Sequence, residues 1–125
     1  MLQYFVMRLY WFLLALLAST TLAVVHYIAL TEYLYWTYRW LDSPVHVLGG
    51  FALGSLLIAF LFRFRPWKYL VGIILIAAGW ELFEALIGMQ QPADYVLDTA
   101  TDVLCDGIGA SVAYLLARIT IWRSV

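Results

Sequence analysis

Charge is what this sequence has least of. Only 12% of its 125 residues are Asp, Glu, Lys or Arg, about half the share of an ordinary soluble domain. Its seven basic residues form no run, so there is no electrostatic footprint for nucleic acid. There is a single cysteine, Cys105, which excludes an intramolecular disulfide and any Cys-pair metal motif. Cys105 lies in an apolar run and reads as a small buried residue. There is no internal repeat, no low-complexity stretch, no HExxH, no GxSxG and no Gly-rich phosphate loop. Ser43 near His46 is the sole nucleophile–base pair, and without further support it is read as coincidence.

Apolar residues are abundant. They make up 66% of the chain, and a chain this short buries the smaller share of its surface on folding. A soluble single domain and a disordered chain are both excluded on that ground. A membrane-spanning helix takes about 20 apolar residues. The sequence predicts an all-α integral membrane bundle of four such helices with short loops, a single domain over 1–125.

The first segment runs from about 9 to 30. Arg8, an apolar run and Thr21-Leu22-Ala23 imitate a cleavable signal, but Val24, Val25, Tyr27, Ile28 and Leu30 carry the run to spanning length. The second runs from about 44 to 62, opened by Asp42, Ser43 and Pro44, which suit a helix start. Within it Gly50-x-x-x-Gly54 is a small-residue spacing that lets helices approach closely. Gly109, beside Ala110, is grouped with these two as a packing position. The third runs from about 69 to 87, after a basic turn of Arg63, Arg65, Pro66 and Lys68. A polar stretch with Gln90, Gln91, Pro92 and Asp94 precedes the fourth, about 99–122.

Six of the seven basic residues (Arg8, Arg63, Arg65, Lys68, Arg118, Arg123) fall on one side of a four-span chain, and only Arg39 on the other. The positive-inside rule then places both termini and the middle loop in the cytoplasm. It predicts a multi-pass membrane protein. Loop 31–43 carries three Tyr and two Trp and is expected as a short helix at the outer lipid interface.

All eight acidic residues lie in outward loops or outer helix halves in this topology. Asp42 and His46 are four apart. Glu81 and Glu84 are three apart. Asp98, Asp102 and Asp106 are spaced by four. Such spacings share a helix face, so three helices each present a polar stripe. With 1.5 Å per residue, Glu81 lies roughly 9 Å deep, Asp106 roughly 10 Å and His46 roughly 3 Å. The stripes overlap in depth, and His26 lies near enough to join them. Asp98 and Asp42 also have a capping reading, while Asp94 and Glu32 read as solvated loop charges. Glu81, Glu84, Asp102 and Asp106 lie beyond any cap. Ionisable groups at membrane depth point to a functional site, and the cationic candidates Arg39, His46 and His26 are too few to neutralise six carboxylates.

Asp42-x3-His46-x3-Gly50, Trp80-Glu81-x2-Glu84 and Asp98-Thr99-x2-Asp102-x6-Gly109-Ala110 resemble the YjdF-type family of small bacterial inner-membrane proteins. They are similar, less closely, to the VanZ-like family. That second pattern has Gln where Glu84 stands, Asn where Asp106 stands, and an arginine before the last helix that this chain lacks. The resemblance spans about residues 40–112. It implies the fold and a shared polar face, with a hint of cell-envelope work from the VanZ-like name.

Three functions fit these residues. The first is an outward acidic/His pocket binding a divalent cation (Mg, Ca or Mn ahead of Zn) through His46, Glu81, Glu84, Asp102 and Asp106. The second is a membrane enzyme using carboxylate acid/base chemistry on an outer-leaflet lipid or cell-wall precursor. The third is proton or ion translocation. A single copy is thin for that task, so it calls for a homo-oligomer, and no carboxylate or imidazole continues a path to the cytoplasmic side. Membrane lipid is the expected partner in every case.

Overall fold

The computed structural model describes residues 2–61, 65–87 and 94–123. Arg63 of the basic turn, and residues 88–93 with Gln90, Gln91 and Pro92, lie outside them. The described chain is all-α. In order come α1 (Leu2–Thr31), the short α2 (Leu34–Thr37), a 3-10 turn (Arg39–Leu41), α3 (Asp42–Phe60), α4 (Pro66–Leu86) and α5 (Tyr95–Ile119). The four long helices are each apolar and long enough to cross a membrane.

Several boundaries differ from the sequence expectation, and α4 begins at Pro66 rather than near residue 69. α1 begins at Leu2 rather than near residue 9; Arg8 sits within it, since one charge does not interrupt the backbone ladder. α5 begins at Tyr95 rather than 99 and ends at Ile119 rather than 122, because Tyr95, Val96 and Leu97 extend the ladder below Asp98. Asp42 and Asp98 therefore stand inside first turns. The residues entering those helices, Leu41 and Asp94, make no side-chain cap bond. Pro66 opens α4, where its missing N–H costs nothing.

Chain reversal after α1 depends on Tyr33, the one non-glycine residue of positive φ (55°) among those described. A left-handed residue is the usual way to end a helix and turn away. α2 and the 3-10 turn then supply the short helical passage expected for loop 31–43.

α3 is the centre of the bundle. It packs most extensively on α5 and next on α1, while α4 touches α3 and α5 lightly. A Cβ on Gly50 would strike the Asp106 backbone, one on Gly109 would strike the backbone of Val47 and Phe51, and one on Gly54 would strike the Tyr69 hydroxyl. Helices in lipid gain from such close backbone approach. Gly50 meets Asp106 and Gly54 meets Ala110, so α3 and α5 run parallel. α4 runs against both. At the end where α3 finishes, Trp11, Ile58, Tyr69, Ile73, Ala113 and Trp122 belong to one apolar core. There the Tyr69 hydroxyl donates to the Ala110 carbonyl at 2.6 Å.

Candidate metal centre

At the opposite end, where α3 and α5 begin, the parallel seam brings three residues together. Asp42 and His46 lie one turn apart on α3, and Asp102 faces them from α5. His46 Nε2 lies 3.8 Å from Asp42 Oδ1 and 3.7 Å from Asp102 Oδ1. Both separations exceed a hydrogen bond. One ligand atom from each of the three residues fits within 4.8 Å of the others. Metal–ligand bonds of about 2.1–2.4 Å put neighbouring ligands roughly 3.0–3.7 Å apart, so this trio is near the spacing for a shared cation.

The other imidazole nitrogen is held. His46 Nδ1 lies 3.3 Å from Asp106 Oδ1. With Nδ1–H donating to that carboxylate, Nε2 keeps its lone pair turned toward Asp42 and Asp102. A carboxylate on the far ring nitrogen is the recurring way to orient and polarise a metal-ligating histidine. The side chains of Asp102 and Asp106 are 8% exposed and that of His46 11%, whereas Asp42 is 38% exposed. Access from outside therefore runs past Asp42. Leu22 of α1 flanks this region, near Gly49 and the Asp106 carboxylate.

The remaining sequence candidates spread around this trio. Glu81 is buried on α4, with Oε1 lacking a hydrogen-bond partner among the described residues. Glu84 and Asp98 are half-buried, and Glu32, Asp94 and Arg39 are exposed. His26 does not enter the trio; its Nδ1 is hydrogen-bonded to the Tyr35 hydroxyl at 2.8 Å. Cys105 is buried.

Tyr35 was not among the expected site residues. It belongs to α2, half-buried, and burial together with the negative charges of Asp42 and Glu84 pushes its hydroxyl up to about 12. The sequence offered only its place in an aromatic loop, which an interfacial belt explains equally well.

No family model, no curated protein and no solved structure matches this chain.

Proposed function

We propose that this protein binds a divalent cation through Asp42, His46 and Asp102, with Asp106 orienting the imidazole. The observation that carries the reading is the asymmetric environment of the His46 ring. One nitrogen is tied to a carboxylate, and the other faces two carboxylates across gaps that a hydrogen bond does not span but a cation does. One imidazole among carboxylates suits the Mg²⁺, Ca²⁺ and Mn²⁺ class, with Mn²⁺ the most tolerant of nitrogen and Zn²⁺ behind.

The orientation follows from charge. The basic residues cluster toward the end opposite the trio, so the site faces outward and both termini are cytoplasmic. The motif resemblance over about residues 40–112, rather than charge, adds the remainder of the proposal: a multi-pass protein of a bacterial inner membrane with a cell-envelope role, of the YjdF type and more distantly VanZ-like. The test is elemental analysis of protein purified without chelator, combined with thermal melting across a Mn²⁺ series. Bound metal or a metal-dependent rise in melting temperature is the expected result. Neither one appearing would end the proposal.

A further inference from the structure

α4 meets the bundle along one ridge. Its buried residues are Tyr69, Ile73, Ala77 and Glu81, spaced by four, which is the i±4 row that helices use for packing. The first three rungs are ordinary: Tyr69 is bonded to α5, Ile73 joins the apolar core and Ala77 is small. The fourth rung is a carboxyl. Glu81 is 9% exposed, and its Oε1 has no hydrogen-bond partner among the described residues.

Two features aim that oxygen at the cation trio. Tyr69 reaches Ala110, and α4 is antiparallel to α5, so twelve residues further along Glu81 stands level with Asp98 and Thr99. The Thr99 side chain is within hydrogen-bonding reach of the carboxyl. Helical side chains also lean toward their own N-terminus. α4 starts at the far end of the bundle, so Glu81 leans from the level of Asp98 toward that of Asp102.

An unpaired carboxyl oxygen at this depth is costly, and α4 has little else holding its last turns in place. Resting on the cation reading above, we infer that Glu81 completes the site as a ligand delivered from α4, and that cation binding docks the last two turns of α4 onto α3 and α5. The site then reports its occupancy through a helix. Only one rung of α4 answers to the ion, while Tyr69 and Ile73 keep the other end fixed.

The experiment uses the full chain in detergent. Mn²⁺ affinity is measured by the paramagnetic resonance of free ion, and backbone hydrogen exchange is followed by mass spectrometry. In the wild type, saturating Mn²⁺ should slow exchange in residues 77–86 about tenfold and leave residues 69–73 unchanged. Glu81→Gln should weaken Mn²⁺ binding about tenfold, since affinity follows ligand charge, and should abolish the protection. Asp102→Asn should lose binding. Wild-type affinity in Glu81→Gln, with binding lost in Asp102→Asn, would remove Glu81 from the site and leave the cation reading standing. No Mn²⁺ binding by the wild type would overturn both. If Glu81→Gln fails to fold, the wild type alone decides, because unchanged exchange of residues 77–86 in saturating Mn²⁺ overturns the inference.

Discussion

The two ends of the α3–α5 seam are built from the same close approach and put to different uses. Toward the end of α5, small residues bring Ala110 and Ala113 against Gly54, and the gain is packing, sealed by Ile58, Tyr69 and Trp122. Nearer the start of α5, the approach of Gly50 to the Asp106 backbone sets the register that brings His46 within reach of Asp102 and Asp106. There the seam's contribution is position rather than packing. The site is thus as accurate as the seam, and a fault in the seam should cost both ends.

Gly50→Ala breaks that comparison most severely. Its Cβ would strike the backbone of Asp106, and backbone cannot step aside as a flexible side chain can. We expect a loss of about 3 kcal/mol, at the upper end of overpacking costs, with cation binding lost as well. Thermal melting in detergent and a Mn²⁺ titration measure the two. Gly79→Ala is the control, because nothing lies within 4 Å of a Cβ there. It should gain up to about 1 kcal/mol from helix propensity. Equal effects at both positions would mean that the seam does not set the site.

Asp102→Ala acts on one end alone. A cation at 100 times its Kd adds about 2.7 kcal/mol to the folded state, and removing a ligand forfeits most of that. The variant should melt below the parent with Mn²⁺ supplied, and the difference should vanish with chelator. If the carboxylates instead form a strained, like-charged cluster without a cation, removing one relieves repulsion and the variant melts higher. The two readings differ in sign.

The four spans were legible because each is a long apolar run, and that signal depends on composition alone. Ends were harder. Arg8 and the acidic residues around Tyr95 looked like boundaries, yet backbone bonding continues past isolated polar residues. The stripes Asp42/His46 and Asp98/Asp102/Asp106 were also legible, since spacing by four fixes a helix face. Which α5 carboxylates meet His46 was not, because that depends on the register of two helices set by Gly50 and Gly109. Nor was the attachment of Tyr35 to His26. It hinges on a left-handed tyrosine at 33, a conformation that sequence assigns to glycine.

Asp106→Asn sharpens the comparison more gently. The amide oxygen can still accept from Nδ1–H, so the seam and the fold should persist. The charge that polarises the ring is gone, and partners of this kind are typically worth 10–100-fold in metal affinity. We expect the lower end, about tenfold weaker Mn²⁺ binding with melting of the chelated protein unchanged. Full affinity in Asp106→Asn would leave Asp106 as a packing neighbour only.

The smallest effect concerns the α2 flank. Tyr35→Phe removes the hydrogen bond to His26, worth about 1 kcal/mol, and melting at pH 8 should fall accordingly. The pH dependence reads the burial of that hydroxyl and the charges beside it rather than the bond itself. Below pH 10 the Tyr35 hydroxyl is neutral in both folded and unfolded chains, and its contribution is whole. The folded hydroxyl is pushed from 10.0 up to about 12 by burial and by the charges of Asp42 and Glu84. Between those values the unfolded chain releases the proton while the folded chain retains it, so stability falls as pH rises. The wild type should therefore lose melting temperature more steeply than Tyr35→Phe from pH 10 to 12, and the two curves should converge. Cation binding should hardly change, because Tyr35 touches His26 rather than His46. Parallel curves across that range would show that Tyr35 does not sense the acidic end of the bundle.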